Sequence, residues 1–353
     1  MKALHLVAHG TPGKFELRDA PDLQPAPGEV VVAVHACGLN HLDLWAEAGE
    51  LPIPIKLPLT PGCEIAGKIA KVGSPLPPGE GQGEGKLQVG DRVAVQSNLF
   101  CGTCEYCRRG DESMCISNVM LGVQRDGGFA EQVVVPARAL TPLPDSVDFT
   151  TSAALTLAGS TAMHMLTNRT AVKAGDWVLV MAGASGVGSA AIQIARGLGA
   201  RVISTGSTEA KRDFARKLGA EAVLDLADSN WPAEVRKITS KRGVDLVVEH
   251  IGGAILQQTF NCLARAGTIV TCGATSGKDV PLDLWPLFVK QQRLVGSYGR
   301  NAADFKATLA WAADGRLKPV IDSTLPLAET ARAYDLLRAR KVLGKIIVVP
   351  KAA

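Results

Sequence analysis

Four cysteines fall inside one short run, CGTCEYCRRGDESMC, at Cys101, Cys104, Cys107 and Cys115. The spacing C-x2-C-x2-C-x7-C puts three thiolates on a tight loop and brings the fourth back after a polar turn. Four thiolates suit a tetrahedral zinc and leave no position for water, so such a site is structural rather than catalytic. Free thiols, a disulfide pair or an iron–sulfur cluster are the alternatives, and nothing else in the sequence suggests electron transfer. The other cysteines, Cys37, Cys63, Cys262 and Cys272, are scattered and read first as small core residues. Cys63 is set apart by its neighbours.

A second chemical element is glycine-rich. The run VLVMA leads into GASGVG and then into a helical pattern, placing Gly183, Gly186 and Gly188 as G-x-x-G-x-G. Glycines there allow a tight turn and close approach of a pyrophosphate. The helix that follows presents its N–H groups to an anion. Ser185 and Val187 belong to the same loop, and Cys272 and Gly273 end a later strand expected to face the same dinucleotide. An NAD site expects a carboxylate about 20 residues past the glycines. Gly206 and Ser207 stand there instead, with Lys211 and Arg212 close behind. A hydroxyl and two cations suit a 2′-phosphate, so NADP(H) is expected over NAD(H). The plainer reading of the two cations is a solvated helix face.

Elements must position these groups. Residues 1–150 show short apolar runs, such as Glu29–Ala36 and Arg92–Val95, between Gly/Pro turns, and read as β-rich. Ser74–Lys86 (SPLPPGEGQGEGK) reads as an exposed, mobile hairpin loop. Residues 151–168 carry a helical bridge. From Asp176 onward, apolar strands alternate with amphipathic helices, the pattern of a parallel sheet covered on both faces. Gly344–Pro350 is again a strand, placed to return to the first domain.

The chain has 353 residues, enough for two domains at roughly 150 residues each. Lys and Arg number 38 against 34 Asp and Glu, a net charge of +4 that is too small for a nucleic-acid surface. No uncharged apolar run reaches the ~18 to 20 residues of a membrane span. The N-terminus lacks a signal-peptide core, so a soluble cytoplasmic protein with reduced cysteines is expected.

Together these pieces resemble the medium-chain dehydrogenase/reductase superfamily, the zinc-type alcohol dehydrogenases and quinone oxidoreductases. The resemblance spans Gly28-Glu-Val-Val-Val, Cys37-Gly-Leu-Asn-His-Leu-Asp43, Pro61-Gly-Cys-Glu64, Val89-Gly-Asp-Arg-Val93 and the four-cysteine lobe. It continues through Leu157-Ala-Gly-Ser-Thr-Ala162, the glycine loop and Gly344-Lys345. It implies an α/β chain with a GroES-like β-rich catalytic domain, residues 1–150 completed by 290–353. The zinc lobe would span 98–116, and a doubly wound Rossmann domain would occupy 151–290. Homodimers and homotetramers both occur in the resembled family, and the strand near 294–300 is the expected pairing edge.

Departures from the dehydrogenase pattern bear on the chemistry. The family's catalytic zinc takes three protein ligands, and the matching positions here are Asn40, Cys63 and Leu157. One soft ligand remains where three are wanted. Cys63 with Glu64 or His41 is the surviving route to an atypical second metal site. The segment Gly38–Trp45 looks more like the zinc-free reductases of enones and quinones. Such acceptors spread the charge left by a hydride through conjugation, and hydrogen-bond donors then suffice. Asn40, His41, Asp43 and Tyr298 are the catalytic candidates, and Trp45, Cys63 and Leu157 the pocket wall. Thr161 and Lys345 match positions that contact the cofactor. Plainer roles stand beside these: a phosphate contact or turn cap for His41, packing for Tyr298, a structural acceptor for Asp43, a helix-face residue for His164. The expectation is NADPH-dependent reduction of activated alkenes or quinones, with one structural zinc and a small-molecule substrate. The alternatives are an alcohol dehydrogenase with an atypical or absent catalytic zinc, and an NADPH-binding sensor with little turnover.

Overall fold

The computed structural model describes residues 1–73 and 87–350. The expected loop at 74–86 lies outside the described residues. The chain forms two compact units, Met1–Ala158 with Asn301–Ala353, and Gly159–Arg300.

The first unit is β-rich. Its N-terminal part comprises β1 (Lys2–Ala8), β2 (Lys14–Asp19), β3 (Glu29–Gly38), α1 (His41–Ala48), β4 (Glu64–Val72), β5 (Arg92–Val95), β6 (Asn98–Leu99), α2 (Glu105–Arg108), β7 (Val119–Met120), β8 (Gln132–Pro136), β9 (Leu140–Pro142) and α3 (Phe149–Leu155). Helix α4 (Ala158–Met163) straddles the division. The second unit then alternates strand and helix: β10 (Trp177–Val180), α5 (Gly186–Gly197), β11 (Arg201–Gly206), α6 (Glu209–Lys217), β12 (Ala222–Asp225), α7 (Trp231–Ile238), β13 (Val244–Glu249), α8 (Gly253–Thr259), β14 (Leu263–Thr271), α9 (Leu284–Val289) and β15 (Arg293–Gly296). The first unit is completed by α10 (Ala302–Ala313), β16 (Ile321–Pro326), α11 (Thr330–Arg338) and β17 (Lys345–Val349).

The large sheet of the first unit runs β16-β17-β3-β4-β5-β9, with β8 also paired to β3. Both faces of β3 are covered, which is why it reads as a continuous apolar run rather than an alternating one. One face joins a core of Val30, Val32, Val34, Ile65, Ile69 and Phe129. The other receives α3 through Ala36, Ala66, Ala153 and Ala154, whose small side chains let the helix lie close to the strands.

The second sheet is parallel, in the order β12-β11-β10-β13-β14-β15. Its strands VLV and LVV are buried on both faces, as helices on each side require. The chain moves outward from β10 to β11 and β12, then crosses back to β13 on the other side. The carboxyl ends of β10 and β13 therefore form the topological switch point, where ligands bind in such sheets.

The expected domain limits need correction. Residues 151–158 belong to the first unit, because α3 packs on β3 and β4. Residues 290–300 belong to the second, because β15 pairs with β14 in parallel register, Ile269 opposite Leu294. The final strand does return: β17 pairs antiparallel with β3 and parallel with β16. Among the described residues no helix is long and apolar enough to cross a membrane.

Candidate functional site

The cysteine lobe is preformed. All four Sγ atoms lie within 4.8 Å of one another. The Cys101–Cys107 and Cys104–Cys107 sulfur pairs are 3.9 and 3.5 Å apart. A tetrahedral zinc with 2.3 Å bonds separates its sulfurs by ~3.8 Å, so the donor set fits that ion. Backbone N–H groups point at the sulfurs: Thr103 and Cys104 donate to Cys101, Cys107 donates to Cys104, and Cys101 donates to Cys115, at 3.3 to 3.5 Å. The N–H of Thr103 leads in bringing the Cys101 thiol down to about 5. Cys107 goes the other way, to about 12, because burial and three adjoining sulfurs disfavour another negative charge. A bound cation removes that penalty. The lobe is fastened to α10, since Ser113 N–H donates to Asn301 Oδ1 and Ala302 N–H donates to Glu112 Oε2. All eight cysteines are free of disulfides.

The positions matched to a catalytic metal are built differently. Lys345, 4% exposed, donates from Nζ to Leu39 O at 2.7 Å and to Asn40 Oδ1 at 2.6 Å, and pairs with Glu64 Oε2 at 2.7 Å. Asn40 Nδ2 donates to Glu64 Oε2 at 3.0 Å. Glu64 Oε1 accepts the backbone N–H groups of Leu157 and Ala158. Both ends of the Asn40 carboxamide are therefore engaged inside the unit, Oδ1 by Lys345 and Nδ2 by Glu64. The Lys345 ammonium has three acceptors of its own, which corrects its assignment as a cofactor clamp. Cys63 is fully buried, and burial first of all holds its thiol well above the ordinary range. Leu157 offers only an aliphatic side chain. Among the described residues, the lobe is the one place where three or more Cys, His, Asp or Glu ligand atoms converge. The residues here do not fit a catalytic zinc.

Asp43 sits under this network. Its Oδ2 accepts the Asn40 backbone N–H at 2.7 Å, and burial pushes its carboxyl up to about 7. His41 opens α1, half-buried, with its ring edge-on to Trp45 at 5.0 Å. Burial, with the Arg340 charge, lowers its pKa and favours neutral imidazole. Asp43 is fully buried with its Oδ1 unpartnered, whereas His41 is the one of the three first-unit candidates that is partly exposed.

In the second unit, α5 begins at Gly186 with Ser185 as its N-cap, the hydroxyl accepting Gly188 N–H at 2.9 Å. A Cβ on Gly188 would collide with the Ala182 carbonyl and with Ser185 Oγ. The loop thus keeps a bare backbone ahead of a helix N-terminus, and this cradle fits a dinucleotide pyrophosphate. Thr161, Cys272 and Gly273 belong to the same unit. Burial raises the Cys272 thiol to about 12. Tyr298 follows β15 in the second unit and is 56% exposed. At the end of β11, Gly206 and Ser207 offer no carboxylate. Arg212, however, is already paired with Glu209 at 2.6 Å and Asp225 at 2.8 Å. Asp225 reaches it because Gly206 and Asp225 are register partners on neighbouring strands. Of the two cations expected to meet a 2′-phosphate, this one is engaged.

Residues 26–145 match the alcohol dehydrogenase GroES-like domain and residues 186–314 the zinc-binding dehydrogenase domain. The chain belongs to the zinc-type alcohol dehydrogenase group of the medium-chain dehydrogenase/reductase superfamily, and it is an oxidoreductase. It is 31% identical to an NAD-dependent alcohol dehydrogenase of Saccharolobus solfataricus, over 99% of this chain and 100% of that one. A crystal structure of an NAD-dependent alcohol dehydrogenase is 36% identical and superimposes with a TM-score of 0.93 over 99% of this chain and 100% of that one. A mycobacterial quinone oxidoreductase is 29% identical, with a TM-score of 0.80 over 99% and 100%.

Proposed function

We propose that this chain interconverts a small alcohol and its carbonyl compound by nicotinamide-dependent hydride transfer, with one structural zinc and no catalytic zinc. The names of its relatives support alcohol chemistry over the enone and quinone reduction expected from the sequence. The observation that carries the zinc-free reading is the Asn40–Lys345–Glu64 network, which stands where a metal ligand is expected. Bound NAD(P)(H) supplies or accepts the hydride. The chain must then hold the carbonyl oxygen and move one proton. His41, neutral and partly accessible beside Trp45, is the group in the first unit suited to that exchange.

Conjugated carbonyls and quinones form the second reading. It is favoured by the same missing Lewis acid, since conjugation spreads the charge a metal would otherwise hold. NADP(H) is proposed over NAD(H) because β11 ends without a carboxylate. The relatives' names favour NAD, and rates with both cofactors decide between them. A homo-oligomer paired along β15 is also proposed: this edge strand has one neighbour, and Leu284, Trp285, Phe288 and Leu294 are exposed beside it. Sedimentation that shows only monomer removes that proposal. A cytoplasmic location fits the free cysteines.

The test of function combines zinc content with a panel of substrates. Turnover of simple alcohols or ketones at one zinc per chain is the expected result. Two firmly held zincs would place a metal at Cys63 and sink the zinc-free reading. Turnover confined to enones or quinones would install the second reading. Tight cofactor binding with no turnover would make the protein a sensor.

A further inference from the structure

The sequence gives no reason to single out His250, yet it lies at the switch point of the parallel sheet. It directly follows β13, and the glycine loop begins three residues past the end of the neighbouring β10. The two meet through side chains: His250 Nε2 is 3.1 Å from Ser185 Oγ. The backbone around His250 is rigidly held. The buried Glu249 carboxylate folds back to accept the N–H groups of Ile251 and Gly252, and His250 O accepts from Thr275 Oγ1.

The Ser185 hydroxyl has a limited hydrogen-bonding capacity. It holds two lone pairs and one proton, and the Gly188 N–H occupies one lone pair. If His250 Nε2 accepts, the Ser185 proton is consumed by the imidazole. If Nε2–H donates, the second lone pair is filled and the Ser185 proton points elsewhere. An anionic oxygen at the N-terminus of α5 selects the second arrangement, because it offers lone pairs and no proton.

We propose that His250 is a cofactor-positioning residue: by donating to Ser185 Oγ, it turns the Ser185 hydroxyl into a donor for the pyrophosphate of the nicotinamide dinucleotide. The inference rests on the dinucleotide reading above and extends it to a residue outside the glycine motif. A hydrogen bond to a charged oxygen is the stronger kind, and its loss is expected to weaken binding about tenfold.

The test is calorimetric binding of ADP-ribose, which carries the pyrophosphate, and of adenosine, which carries no phosphate, to the whole protein. His250→Leu is expected to weaken ADP-ribose about tenfold and to leave adenosine unchanged. Ser185→Ala is expected to match it, and the double variant to be no weaker than either single one, because the two side chains act as a unit. His250→Gln, which offers a donor of similar reach, recovers part of the loss. Unchanged ADP-ribose binding in His250→Leu overturns the proposal. So does an equal loss on adenosine, or additivity in the double variant, since either marks a merely structural contact. If the unaltered protein binds neither the dinucleotides nor ADP-ribose, the cofactor reading itself falls, a result distinct from any of these.

Discussion

Two places in the first unit invite comparison as metal positions. In the cysteine lobe all four donors come from one short segment, and backbone N–H groups already face the sulfurs. At Asn40, Cys63 and Leu157 the corresponding donors are an amide, a buried thiol and an aliphatic chain. There a lysine ammonium lies among a carboxylate, a carboxamide and a carbonyl oxygen. The lobe presents a thiolate set that a dication stabilises. The second place carries its own cation, supplied by the chain. Loss of the donors thus leaves a neutralised network rather than an empty anionic hole.

The largest effect that would break this comparison is at the lobe. Cys104→Ser with Cys107→Ser should lower zinc from one per chain to none, and reduce the melting temperature by about 5 °C or more. Unchanged zinc content would mean that the metal is held elsewhere. Next comes the ammonium. Lys345→Met leaves the fully buried Glu64 carboxylate without its cation and should cost about 3–5 kcal/mol in denaturant unfolding. A loss under about 1 kcal/mol would show that the network is not what holds the second place together.

The smallest effect depends on pH. The Asp43 carboxyl titrates at about 7 in the folded chain and near 3.8 when unfolded, so the folded state holds an extra proton between those values. Its ionisation therefore opposes folding as pH rises through that window and by pH 8 amounts to at most about 4 kcal/mol. Relative to Asp43→Asn, the natural protein should be steadily less stable from pH 4 to pH 7, and level off above. A stability difference that does not change over this range would refute the assignment.

The same contrast explains what could be read from the residues alone. The lobe was legible because its ligands are local and their spacing carries the geometry. The second unit was legible because strand and helix periods alternate in order, and β11 and α6 fall where the pattern puts them. The Lys345–Asn40 bond was not, because 305 residues separate the partners and only sheet order brings them together. Arg212 misled for a similar reason: Asp225 becomes its partner through strand register, which no local pattern encodes. His250 carries no signal at all outside the fold. The helical reading of 151–168 placed those residues in the second domain, whereas the alanines of α3 commit its first part to the first unit's sheet.

The position of β17 has a consequence for the order in which a ribosome can finish this protein. The second unit is continuous in sequence and can close its sheet once residue 296 has emerged. The first unit, begun earlier, stays open, because its sheet needs β17 inserted between β3 and β16. Lys345, the residue that neutralises Glu64, opens that last strand. A nascent or truncated chain that lacks β17 therefore holds a completed parallel sheet while the Glu64 carboxylate is still without its cation.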